Sequence, residues 1–269
     1  MGLAELASAA AIALIGLALI MSAAWSIQRV TGNAGWIDAF WTFGVGAMGV
    51  VLAIAPFSGG EHLWRRVIVA ALAAVWSLRL GLHIVKRTLE SGDDPRYARL
   101  LADWGSAASA RLFAFLQAQA AVGAVLALAI ALAAHTPGSW RLQDVVGMPL
   151  MAAAIAGEAA ADRELARFKA DPSNRGAICD VGLWRLSRHP NYVCEFMVWA
   201  GVAVIPLEPG APPTWLALLA PAIMYWTLRY ASGVPPLEEH MQRTRPHAFA
   251  AYAAHTPVFF PRLWRARRR

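Results

Sequence analysis

Charge is what this chain is short of. Only 15% of its 269 residues are Asp, Glu, Lys or Arg, against about a quarter in an ordinary soluble domain. Four stretches carry none of them: 6–28, 39–60, 112–140 and 210–228, of which 112–140 is broken only by His135. Each is long enough to span hydrocarbon, which takes roughly 20 helical residues. Basic residues are also missing from the start of the chain, where Glu5 is the only charge before Arg29. The first run therefore lacks the basic n-region of a cleaved signal and reads as a retained helix. Cysteine is scarce too: Cys179 and Cys194 fit no metal or redox spacing and read as structural. No internal repeat, low-complexity linker or second domain is visible.

What is present is apolar sequence, 58% of the chain. Three further spans carry ionisable groups inside or at their ends: 67–85 with Arg79 and His83, 145–165 with Glu158 and Asp162, and 193–207 with Glu195. The expected fold is all-α, an integral membrane bundle of about seven transmembrane helices within a range of six to eight. Of 24 Lys and Arg residues, five fall in 86–111, six in 163–188 and eight in 229–269. The intervening loops hold three, Arg65, Arg66 and Arg141. The positive-inside rule then puts the N-terminus outside and the C-terminus in the cytoplasm. The tail "RLWRARRR" is suited to anionic lipid. Topology accounts for the net charge of +7, so no nucleic-acid partner is expected.

"GVGAMG", Gly44 to Gly49, satisfies GxGxxG. A dinucleotide fingerprint needs a strand before it and a helix opening from it. Here the motif lies inside an apolar span, where small residues serve close helix packing, so no Rossmann domain follows.

Charges recur at helical spacing in three places. Glu158, Asp162, Leu165 and Lys169 follow i, i+4, i+7, i+11; Arg79, His83 and Arg87 follow i, i+4, i+8; Asn191 and Glu195 are one turn apart just after Pro190, which suits a first helical turn. Ionisable residues in spans usually face the protein interior and mark a pathway or site, with mutual ion pairing as the structural alternative. All three sets lie toward the face assigned as cytoplasmic, which implies a polar cavity able to take an anionic cofactor. An amide and a carboxylate one turn apart can read a primary carboxamide, Asn191 through either of its ends and Glu195 by accepting from the NH2. His189 either caps the helix or contacts a phosphate. Tyr192 either packs or stacks on a ring.

The segments "ADRELARFKADPSNRG", "GLWRLSRHPNYVCEFMVWAG" and "SGVPPLEEHMQRTRPHAFAAYAAHTPVFFP" resemble bacterial relatives of the steroid 5-alpha-reductase C-terminal domain. The resemblance covers roughly 35–262, and the core H-x-N-Y-x-x-E is its most specific part. It implies an NADPH-dependent reductase of a carbon–carbon double bond, multi-pass in the bacterial inner membrane, with a hydrophobic substrate entering from the bilayer. By position it puts Asn191 and Glu195 at the nicotinamide carboxamide, Asp162 and Lys169 at the adenosine half, and Arg87 within reach of the cofactor. Arg167, Arg175 and Arg188 are suited to its phosphates. The family's ketone-holding tyrosine falls at Ile84 here, so another acid is expected, Asp38 or His83 first and Tyr97 in "GDDPRY" after them. A second resemblance, to isoprenylcysteine and phospholipid methyltransferases, rests on "SRHPNY", "LEEHMQRTRP" and "AAYAAHTPVFFP" and implies S-adenosylmethionine instead.

Overall fold

The computed structural model describes residues 1–58 and 62–261. The basic tail from residue 262 lies outside the described residues, as do residues 59–61. Ten α-helices follow one another among the described residues, with no strand. They are α1 (Leu3–Thr31), α2 (Trp36–Ile54), α3 (Leu63–Ser91), α4 (Pro95–Trp104), α5 (Ala108–Ala134), α6 (Leu142–Ala170), α7 (Pro190–Val204), α8 (Leu219–Trp226), α9 (Val234–Thr244) and α10 (Pro246–His255).

Five helical stretches are long and apolar enough to cross a membrane: α1, α2, α3, the run of α4 and α5, and α6. Two of the seven expected spans are not among them. α7 has 15 residues, which at 1.5 Å per residue falls short of about 30 Å of hydrocarbon. The 8 residues of α8 lie between a 3₁₀ turn (Pro212–Leu218) and a π turn (Thr227–Ala231), so that segment is only partly regular α-helix. Leu14, Ile15, Leu19, Val75, Leu78 and Leu82 point outward on the spans, which is stable only where lipid replaces water.

The chain divides into two compact units. The first holds Met1–Pro149 and Ala200–Ala220; the second holds Leu150–Trp199 and the residues from Pro221 onward. α6 and α7 each contribute to both.

In the first unit α2 packs against α1, α3 and α5. The glycines of "GVGAMG" explain how, since each meets a different neighbour. A Cβ on Gly44 would lie 3.1 Å from Leu17 and Ile20 of α1, one on Gly46 would lie 2.2 Å from Ser77 of α3, and one on Gly49 would lie 2.6 Å from Ile130 of α5. The motif is a three-sided packing device, as read from its place in an apolar span. Close approach also lets Ser77 Oγ donate to the Thr42 carbonyl at 3.0 Å and Trp41 Nε1 to the Gln119 carbonyl at 3.0 Å. The first residues of α6 approach the end of α7 in the same way, with a Cβ on Gly147 falling 2.6 Å from the Gly201 carbonyl.

One ion pair in this unit is wholly enclosed, Arg65 with Asp144. Arg65, in the first turn of α3, has 0% exposure. Its Nε and Nη2 bind Asp144 at 2.9 and 2.7 Å, Nη1 donates to the carbonyls of Thr136 and Gly138, and Nη2 also reaches that of Ser139. All five guanidinium donors are used. The pin fastens the start of α3 to the α5–α6 loop and the start of α6.

Two substitutions test this packing. Gly46→Leu should lower the unfolding temperature in detergent, with an overpacking cost of about 1–3 kcal/mol or more. Arg65→Ala strands the Asp144 carboxylate and should cost about 3–5 kcal/mol. A wild-type melting profile for either variant would contradict the respective contact.

Candidate functional site

Two polar clusters stand out, one in each unit. In the first, the sequence "GDDPR" starts α4: Asp94 is the N-cap, accepting from the Arg96 amide at 2.9 Å, and Pro95 opens the helix. Arg96 folds back onto Asp94 with Nε at 3.0 Å and Nη2 at 2.8 Å, and also reaches Asp38 at the start of α2. Arg87, near the end of α3, lies 3.3 Å from Asp94 and 3.7 Å from Asp38. The buried Tyr97 hydroxyl donates to Asp38 at 2.9 Å and accepts from Gln119 Nε2 of α5 at 3.1 Å. Two carboxylates and two guanidiniums thus neutralise one another, and a tyrosine closes the group. Burial by itself would raise the Asp94 carboxyl, but the hydrogen bonds and charge of Arg96 outweigh it and hold Asp94 below its ordinary 3.8.

Of the residues expected here, Asp38 and Arg87 are brought together. The structural ion-pair reading describes both better than a free acid and a free cofactor arginine. His83 is exposed on α3, one turn before Arg87, and Ile84 beside it is buried.

The second unit organises the segment around "SRHPNYVCE". Glu164 of α6 accepts from the Leu183 amide at 2.9 Å, and Trp184 Nε1 donates to the Ala161 carbonyl at 2.9 Å. Gly182 has φ +53°, and a Cβ there would meet the Glu164 carboxylate at 2.5 Å, so only glycine fits. From α10, Tyr252 donates to the Trp184 carbonyl at 2.5 Å, and the Arg188 amide donates to the Pro257 carbonyl at 2.9 Å. Burial pushes the Tyr252 hydroxyl up, which keeps it a donor.

This clamp presents Arg188 and His189 at the start of α7. His189 is 2% exposed; its Nε2 lies 3.1 Å from Glu238 Oε1 of α9, and its ring stacks on Tyr192 at 5.4 Å and 8°. The imidazole thus meets a carboxylate on one side and the Tyr192 ring on another. Arg188 Nε lies 3.0 Å from the same Glu238 oxygen, an ion pair whose N–H is not aligned for a hydrogen bond, and its guanidinium sits 5.5 Å over Phe249. One turn into α7, Glu195 is buried and accepts from Trp199 Nε1 at 2.8 Å. Asn191 has a buried Oδ1 that carries no hydrogen bond among the described residues.

The remaining expected residues spread outward along the same unit. Glu158 is buried, Asp162 half-buried and Arg167 and Lys169 exposed, tracing α6 from protein to solvent. Arg175, in the loop that follows, is exposed. Gly157 approaches Cys194, whose Sγ would be 3.0 Å from a Cβ there, so one cysteine is accounted for by packing. Cys179 is buried, and burial pushes its thiol up, away from reactivity.

The family described as "Protein of unknown function (DUF1295)" matches residues 24–256. The chain belongs to the DUF1295 family. No curated protein matches it, and no solved structure matches it. The DUF1295 match takes in both polar clusters, ending after the α9 carboxylate and the α10 tyrosine that hold the α7 segment.

Glu238, Arg96 and Gln119 were not assigned roles from the sequence. Nothing local links Arg96 to Asp38, 58 residues earlier. Glu238 is 49 residues from His189, with only its place in an acidic pair after "PP" to mark it.

The network around Asp94 has a pH signature. A carboxyl depressed in the folded state contributes stability that is complete above its unfolded value and is lost as pH falls through the folded one. Asp94→Asn keeps a capping side chain but removes the charge. It should melt lower than wild type at about pH 7, by about 1–3 kcal/mol, and the gap should close below about pH 4. An equal gap at both ends of the titration would mean the charge is not what matters.

Proposed function

We propose that this DUF1295 chain is a membrane-embedded NADPH-dependent reductase of a carbon–carbon double bond in a hydrophobic, enone-like substrate. The observation that carries the reading is Asn191: a carboxamide at the first turn of α7 whose buried oxygen has no protein partner, one turn before the Glu195 carboxylate. A buried amide oxygen without a hydrogen bond costs about 1–3 kcal/mol, so a donor belonging to a ligand is the natural complement. The NH2 of a nicotinamide carboxamide is such a donor, which makes the residues present a fit for that cofactor.

When bound, NADPH would supply a hydride to the β-carbon of the alkene. Asn191 and Glu195 would hold its carboxamide, Arg188 would face phosphate, and Arg167, Lys169 and Arg175 would supply further positive charge for the phosphates, with Asp162 toward the adenosine half. The lysine and arginine distribution supports an outside N-terminus and a cytoplasmic C-terminus, in a bacterial inner membrane, with the substrate arriving through the bilayer.

One observation favours the methyltransferase reading. Glu238, from "LEEH", meets Arg188 and His189, from "SRHP", so the two parts of that resemblance come together in space. A sulfonium cofactor, however, brings no phosphate for the basic residues of α6 and the loop after it.

Purified protein in detergent distinguishes the two. NADPH at about 100 times its Kd should stabilise it by about 2.7 kcal/mol, and S-adenosylmethionine should not. Stabilisation by S-adenosylmethionine alone would transfer the chain to the methyltransferases. Asn191→Ala and Glu195→Ala should each abolish most of the NADPH response while the unliganded protein still melts cooperatively.

A further inference from the structure

One oxygen atom, Glu238 Oε1, lies within 3.1 Å of His189 Nε2 and within 3.0 Å of Arg188 Nε. Both side chains are nearly enclosed, 3% exposed for His189 and 9% for Arg188, and the carboxylate comes from a helix 49 residues further along the chain than His189. The carboxylate engages Arg188 by its Nε edge. Among the described residues the two terminal NH2 groups of Arg188 carry no hydrogen bond, while Phe249 lies beneath the guanidinium plane. Glu238 at Nε and Phe249 beside the guanidinium leave its two terminal NH2 groups for another partner. His189 is fixed just as tightly, between Glu238 at Nε2 and the parallel ring of Tyr192.

We propose that Glu238 is a positioning residue: it aims the Arg188 fork, and fixes the His189 ring, for a phosphate group of the cofactor. The inference rests on the NADPH reading above and adds to it the residue that sets the site's geometry. Guanidinium forks bind phosphate oxygens through two parallel N–H bonds, and this works only when the plane is held in register. Left to itself an arginine side chain carries about 2 kcal/mol of rotamer entropy that binding must quench. Glu238 removes that freedom before the ligand arrives.

A carboxylate beside an anion site has two opposite effects, and they separate by substitution. Its charge repels phosphate; its contacts with His189 Nε2 and Arg188 Nε orient the two side chains. Glu238→Gln removes the first and keeps an acceptor for His189. Glu238→Asp keeps the charge and withdraws it by one methylene. If positioning dominates, NADPH should bind Glu238→Gln within about threefold of wild type, and bind Glu238→Asp and Glu238→Ala about tenfold or more weakly. The loss should also be sub-additive: adding Glu238→Ala to Arg188→Ala should weaken binding by much less than it does alone.

The experiment is NADPH titration of the purified, detergent-solubilised chain and these variants, with the unliganded unfolding temperature recorded for each. The expected result is the order wild type and Gln, then Asp and Ala, at similar unliganded stability. Tighter binding by both Gln and Ala would show that the carboxylate competes with the ligand, and would overturn the proposal. Unchanged affinity in a folded Glu238→Ala would do the same while leaving the NADPH reading intact. Should Glu238→Ala fail to fold, Glu238→Asp decides by the same criterion. A wild-type protein that binds S-adenosylmethionine and not NADPH, or neither, would remove both this inference and the reading beneath it.

Discussion

Arg65 is a guanidinium in a place with no water, and the first unit is arranged so that it never needs any. Hydrocarbon gives a polar group nothing to bind, and leaving one unpaired there costs several kcal/mol. The start of α3, the loop after α5 and the start of α6 are therefore drawn together until Asp144 and three backbone carbonyls occupy every donor. Coulomb attraction in such an enclosure is strong but offset by desolvation, so the pair is better understood as a constraint on geometry than as a source of net stability. With Arg65 in place, α3 has one permitted starting point. Its other end is held by Arg87 against Asp38 and Asp94.

Between those two ends the same solvent acts in the opposite way. Lipid tails are as apolar as leucine, so burial of large side chains does little to draw helices together, and close contact between small residues takes over. That is why α2 turns a glycine toward each of α1, α3 and α5, and why the buried stripe of α1 is Ala9, Ala13, Leu17, Met21 and Ala24 while larger groups such as Ile15 and Leu19 face out. Short distances then allow hydroxyl and indole donors to reach backbone carbonyls of a neighbouring helix, as Ser77 and Trp41 do.

The sequence made legible whatever this solvent rule writes locally. Charge-free runs located α1, α2, α5 and the apolar parts of α3 and α6, and a GxGxxG within one of them read correctly as packing. Pro190 marked the start of α7. Regularity was not legible over the expected span 210–228, which is helical but changes from 3₁₀ to α to π winding along its length. The side chains at α7 were legible as a group because they share one helical turn. What could not be read is the identity of partners that come from elsewhere in the chain. Asp38 looked like an available acid because nothing near it in sequence reveals Arg96, and the role of His189 stayed open between a cap and a phosphate contact because nothing near it reveals Glu238.

The two polar clusters also differ in a way that bears on which is built for a ligand. In the first unit, Asp38 and Asp94 are matched by Arg87 and Arg96, charge for charge, and each carboxylate has at least two donors on it. A network closed to that degree is what a structural joint requires. In the second unit Arg188 and His189 share a single carboxylate oxygen, the Arg188 guanidinium meets it only at Nε, and the Asn191 oxygen has no donor among the described residues. Enclosed polar atoms normally find partners within the protein. The acceptor left over at the first turn of α7 is what sets this cluster apart from the closed network of the first unit.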